Sequence, residues 1–183
     1  GEFDDGERYA FFSKAVVSLP KILDFKPDII HSNDWHTGLV SLYIKDLARN
    51  DDYYKNIKSL FTIHNLKYQG VFDSSILSDV LGLSHEYYHD DGIKFYNALN
   101  YMKAGIVYSD KINTVSKTYA QEIKYEFFGE KLEGILRKSE NKLFGIINGI
   151  DYDIYNPYND KNIEVNYNSS TIEKKVENKL ALQ

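Results

Sequence analysis

Cysteine is absent from the 183 residues. This excludes disulfides, thiolate nucleophiles, iron–sulfur clusters and cysteine-ligated zinc, and it leans towards a reducing compartment. No lysine or arginine run stands out against 22 basic and 27 acidic side chains, a formal charge of −5, so the phosphate-neutralising face that nucleic-acid binding needs is missing. No apolar stretch approaches the ~18 uninterrupted residues of a membrane helix. The acidic opening GEFDDGERYA is not a signal peptide. The expectation is a cytoplasmic protein that binds neither nucleic acid nor membrane. Also missing are a G-x-G-x-x-G turn, a Walker loop and a G-x-S-x-G elbow, so dinucleotide, P-loop and hydrolase chemistries lack their signatures. There is no internal repeat and no low-complexity segment.

What is present is enough apolar material, 43% of residues, for one compact core and too little for two full-sized domains, so one domain plus an appendage is expected. Aromatic residues reach 15%, with 16 tyrosines; their flat faces suit sugar or base stacking as well as cores. Residues 6–23 place Tyr9, Phe12, Val16, Leu19 and Leu23 at helical spacing, which predicts a helix with one buried stripe, closed by Pro27 and the extended DIIH that follows. The alternation then repeats. A helix from about residue 37 turns Val40, Tyr43, Ile44 and Leu47 inward, and SLFTIH (59–64) follows as a strand. A helix carrying Phe95, Leu99, Met102 and Ile106 precedes KINTVS (111–116). Two shorter helices, one with Tyr119 and Ile123 and one with Leu132, Ile135 and Leu136, precede LFGII (143–147). Short apolar strands alternating with amphipathic helices predict an α/β fold, a parallel sheet with helices on both faces, Rossmann-like rather than a barrel. From Asp151 to Asn168 the periodicity vanishes into Asn, Asp and Tyr, the composition of a surface loop. Ser170 with Glu173 then matches a capping box, ahead of an apolar stripe of Ile172, Val176 and Leu180.

In an open parallel sheet, polar residues at strand C-termini face the ligand crevice. The strands end in HSNDWHTG (His31–Gly38), HNLKYQG (His64–Gly70), Thr114 to Ser116, and Asn148 with Gly149. Asp34 and His36 have the makings of a hydrogen-bonded acid and imidazole, Trp35 of a stacking face, and His64 with Asn65 of a pair of hydroxyl ligands. Plainer roles compete: Asp34 as a helix cap, Trp35 as core, His31 as a satisfied core histidine, Gly70 and Gly149 as turn residues. His85 to His89 spell H-E-x-x-H, the zinc-peptidase pattern, which needs a long helix and a third ligand. Gly82 before it and Asp90-Asp91-Gly92 after it leave barely a turn and a half, so a metal site is not expected.

The strings ERYAFFSKAV, PDIIHSNDWHTGL, FTIHNLKYQGVF, MKAGIVYSDKINTVSKTYAQEI and GIINGIDYDIYNP, in this order across residues 7–157, closely resemble bacterial glycogen synthases and plant starch synthases. These are retaining glucosyltransferases of two Rossmann-like domains facing across a cleft. The resemblance implies transfer of glucose from a nucleotide sugar, usually ADP-glucose, to the non-reducing 4-hydroxyl of an α-1,4-glucan, without a metal or other cofactor. It implies that His64 contacts the transferred glucose and that Asn148 lies close to the same sugar at the domain crossing. Asp34, Trp35 and His36 would line the cleft, with Trp35 near the acceptor glucan, and Tyr68 and Gln69 would shape the acceptor side. Against the family pattern, the N-terminal lysine and double-glycine loop is not in the sequence, nor is the Arg/Lys pair that holds the diphosphate, nor the acidic residue near the donor glucose.

Residues 1–148 are therefore expected to be the C-terminal part of the first domain, and 149–183 the interdomain crossover and start of the second. An internal fragment of this kind is expected to be inactive alone and to self-associate through an unpaired strand edge and neighbouring helix surface including Phe11 or Phe12. The alternatives from other classes are a standalone glucan-binding module and a zinc peptidase.

Overall fold

The apolar runs become strands and the amphipathic runs helices in the computed structural model, which describes residues 2–183. Two compact units are formed, Gly1–Ile147 and Asn148–Gln183. In chain order the first contains α1 (Asp5–Ile22), β1 (Ile29–Asn33), α2 (Leu39–Leu47), β2 (Lys58–Ile63), β3 (Val71–Asp73), α3 (Ile76–Asp79), β4 (Lys94–Phe95), β5 (Ala98–Asn100) and α4 (Tyr101–Tyr108). It continues through β6 (Lys111–Thr114), α5 (Lys117–Glu122), α6 (Glu126–Gly129), α7 (Glu133–Lys138) and β7 (Leu143–Gly145). The main sheet is parallel in the order β1-β2-β6-β7, and β3-β5-β4 form a small antiparallel sheet.

Register sorts the main sheet into two kinds of row. Ser32, Phe61, Ile112 and Leu143 are aligned across the four strands and all are buried. Fully removing a side chain such as Phe61 or Ile112 from water contributes roughly 1.5–3 kcal/mol each. The helices pack on this face, with Val40 and Ile44 of α2 and Met102 and Ile106 of α4 fully buried. In the alternate rows Ile29, His31 and Asn33 of β1 and Phe144 of β7 are exposed, so coverage by helices among the described residues is complete on one face only. His31 is thus a surface residue and not a core histidine. Its Nε2 meets Thr62 Oγ1 at 2.7 Å, and that hydroxyl donates to Asn113 Oδ1 at 2.6 Å. Strand register is also held at the opposite end of the sheet, where Asp110 accepts from the Ser59 N–H at 2.8 Å and from Lys45 Nζ at 2.8 Å. Burial pushes the Asp110 carboxyl up, but these bonds outweigh it and hold the group below the usual carboxylate range.

Two elements differ from the sequence expectation. In α1 the large apolar residues do not face inward: Phe12, Leu19 and Leu23 are exposed and Tyr9 and Val16 half-buried, while Gly6, Ala10, Ser13 and Val17 are buried. The inward stripe is rotated by one residue because the helix approaches closely through small side chains. Tyr101 donates its hydroxyl to Gly6 O at 2.9 Å, and a Cβ on Gly6 would sit 3.0 Å from the Phe72 ring. Phe11, Leu19, Ile22 and Phe25 are left as an exposed apolar surface. The second difference is that the helix ending at Tyr108 begins only at Tyr101. Phe95 and Leu99 lie instead on β4 and β5, joined by a two-residue turn in which Tyr96 has φ +56°. Asn100 caps α4 by accepting the Lys103 N–H at 2.8 Å.

The second unit runs through turns to a 3-10 segment (Ser169–Lys174) and α8 (Lys175–Leu182). Its capping box is formed by Asn168 and Thr171, not by Ser170 and Glu173: Asn168 Oδ1 accepts the Ser170 N–H and Thr171 Oγ1 accepts the Asn168 N–H. The Ile172, Val176 and Leu180 stripe is exposed.

Candidate functional site

The C-terminal ends of β1 and β2 are joined by their side chains. Asp34 Oδ1 accepts the backbone N–H of His64 at 2.8 Å, and Asn33 Oδ1 accepts from the His64 ring Nε2 at 3.0 Å. Two consecutive residues of one strand end thereby hold both the main chain and the imidazole of the residue after the next strand. Asp34 achieves this with φ +54° and ψ −178°, a conformation otherwise reserved for glycine and costing about 1–3 kcal/mol. The surroundings keep it there: its N–H donates to Thr62 O at 2.9 Å, and the Thr37 hydroxyl bonds both the N–H and the carbonyl of Asn33 at 2.6 and 2.7 Å. Asp34 neither caps the following turn nor bonds His36. Its carboxylate serves His64.

Trp35 and His36 form an aromatic cluster beside this pair. The two rings stack at 4.1 Å between centroids, Tyr9 meets both edge-on at 4.9 and 4.8 Å, and Phe72 lies 5.9 Å from Trp35. Gly70, at φ +62°, lies so close to the indole that a Cβ there would come within 2.3 Å of Trp35 Cε3. Trp35 is half-buried and packed, not a free platform. Gly70→Ala is expected to destabilise the chain by about 1–3 kcal/mol through backbone strain and overpacking, read as a lower denaturation midpoint. Because Trp35 is the one tryptophan, its fluorescence should shift in the same variant while the native state still predominates. An unchanged midpoint and spectrum would contradict the packing described.

The remaining candidates diverge. Asn65 is exposed and closes an Asx turn on the Lys67 N–H at 3.1 Å. Tyr68 is 63% exposed. Gln69 bridges inward: its Oε1 accepts from Asn100 Nδ2 at 2.6 Å and its Nε2 donates to Glu130 O at 2.9 Å. Asn100 is fully buried, and beside it burial pushes the Lys103 ammonium below its ordinary pKa while Nζ bonds the carbonyls of Asp90 and Lys94, each at 2.6 Å. Asn148 is exposed in the second unit. Asn33, Asn100, Thr37 and Tyr119, whose hydroxyl accepts the Leu66 N–H at 3.2 Å, were not among the sequence candidates. Asn100 carries a usable signal, an Asn three residues before a helical N–H it caps. Asn33 carries none, since its partner is 31 positions away.

The H-E-x-x-H pattern does not form the peptidase geometry. His85–Tyr87 is a single 3-10 turn that ends before His89, and Glu86 pairs with Arg49. Among the described residues no helix is long and apolar enough to cross a membrane.

Comparison with known proteins gives a consistent result. The starch synthase catalytic domain family matches residues 1–138. Proteins named glycogen synthase from Finegoldia magna and Clostridioides difficile are 56% and 54% identical over 183 residues, all of this chain and 38% of each relative. The catalytic domain of starch synthase IV from Arabidopsis thaliana, solved bound to ADP and acarbose, superposes with a TM-score of 0.80 at 35% identity, over 100% of this chain and 37% of that one. The chain thus spans little more than a third of the length of these relatives. With a parallel sheet whose strand ends present Asn33, Asp34 and His64, and with a family match over three quarters of its length, this chain belongs to the starch synthase catalytic domain family.

Proposed function

We propose that the chain supplies the sugar side of a glycogen or starch synthase that transfers glucose from a nucleotide sugar, ADP-glucose, to the non-reducing end of an α-1,4-glucan with retention. The observation that carries this reading is the paired hold on His64 by Asn33 and Asp34 in a chain whose relatives are named glycogen synthase. The ADP in the starch synthase IV structure supports an adenine nucleotide as donor. In this reading His64 contacts the transferred glucose and Asn65 a neighbouring hydroxyl. Asp34, Trp35 and His36 line the cleft, Trp35 as a packed wall. Tyr68 offers the open aromatic face to the acceptor, Gln69 anchors that loop, and Asn148 lies near the donor sugar.

Residues 1–148 then belong to the first Rossmann-like domain and 149–183 to the crossover into a second. The chemistry needs stabilisation of an oxocarbenium-like sugar and of a departing diphosphate. Neutral hydrogen-bonding groups such as His64 and Asn65 suit the first task, and cationic groups elsewhere in the full-length protein the second. A cytoplasmic location accords with the lack of cysteine. The test is incorporation of labelled glucose into glycogen by the full-length protein, with ADP-glucose and UDP-glucose compared. ADP-glucose should be the better donor; no incorporation from either would sink the reading.

Isolated, the 183-residue chain is expected to self-associate. In the described sheet β1 pairs on one side only, and next to it in sequence lie the exposed Phe11, Leu19, Ile22 and Phe25, the combination that invites pairing between molecules. The net charge of −5 opposes this only weakly once salt screens it beyond about 8 Å. Sedimentation at tens of micromolar should show a dimer, and a monomer would count against the proposal.

A further inference from the structure

We propose that Asn33 is a positioning residue that sets the ring orientation and proton placement of His64; this rests on the reading above, in which His64 contacts the transferred glucose. A carboxamide oxygen only accepts, so the 3.0 Å contact between Asn33 Oδ1 and His64 Nε2 puts the imidazole proton on Nε2. In the neutral ring Nδ1 is left with its lone pair free to accept from a sugar hydroxyl. The main chain of His64 is held separately by Asp34, so the Asn33 bond controls the remaining freedom, rotation of the ring about its side-chain torsions. The main chain of Asn33 is held in place, with both its N–H and its carbonyl bonded to Thr37 Oγ1. Its side chain is exposed at a strand end, where truncation leaves no cavity.

The experiment has a spectroscopic and a kinetic arm. In nitrogen-15 labelled full-length protein, the neutral His64 ring should show the chemical shifts of the tautomer protonated on Nε2, with Nδ1 unprotonated. A neutral ring protonated on Nδ1 overturns the proposal without any variant. In the kinetic arm, Asn33→Ala with an unchanged melting temperature should lower kcat by roughly three- to tenfold, the worth of one positioned hydrogen bond. KM for the glucan should change little. Introduced into His64→Ala, the same substitution should add nothing, because two residues acting through one contact are not additive. Asn33→Ala without effect, or with an effect that multiplies that of His64→Ala, overturns the positioning role. His64→Ala without effect instead overturns the underlying reading, so the two failures are distinguishable.

Discussion

Purified alone, the 183-residue chain is expected to transfer no measurable glucose from ADP-glucose to glycogen. Stabilising charge on the departing group is usually the largest catalytic term, and losing a single preorganised donor costs about a hundred- to a thousandfold. The strand-end residues that the structure ties together, Asn33, Asp34 and His64, bring hydrogen-bonding groups and one carboxylate but no permanent positive charge. The chain spans 38% of the relatives' length, and the proposal assigns the cations that would face the diphosphate to the remainder. Incorporation above background, at protein concentrations where the full-length protein is readily active, would show that the segment carries its own diphosphate site.

In the full-length protein, His64→Ala is expected to lower turnover by roughly tenfold to a thousandfold, as loss of a positioned group in a closed site does. The geometry favours a loss of function over a loss of fold. The ring of His64 is exposed and its described bond is to the exposed Asn33, whereas the bond Asp34 makes is to the His64 main chain and survives truncation. Thermal stability should therefore change little while kcat falls. Normal turnover with an intact fold would reduce His64 to a structural residue.

The four strands of the main sheet were legible in the sequence because each is a short apolar run closed by polar or glycine residues, and α2 because Val40, Tyr43 and Ile44 share one face that is indeed buried. The inward face of α1 was not, since the sequence advertises Phe12 and Leu19 whereas packing selected Ala10 and Ser13, small residues that admit a close helix approach. Residues 94–100 misled because Phe95, Leu99, Met102 and Ile106 have helical spacing; the left-handed Tyr96 and the capping Asn100 break that helix before it can start. At the site, His64 and Asp34 could be placed at strand ends from periodicity alone. Their bond could not be read, because a helix-cap role for Asp34 and a pairing with His36 are equally local, and tertiary contact chose a third partner 30 residues away.

The most direct measurement is a crystal structure of the full-length protein with ADP and a maltooligosaccharide bound. A hydroxyl of the sugar next to the diphosphate should lie within about 3.2 Å of His64 Nδ1, with Nε2 still on Asn33 Oδ1. A sugar bound with His64 turned away from it, or with its Nε2 released from Asn33 to meet the ligand, would contradict it.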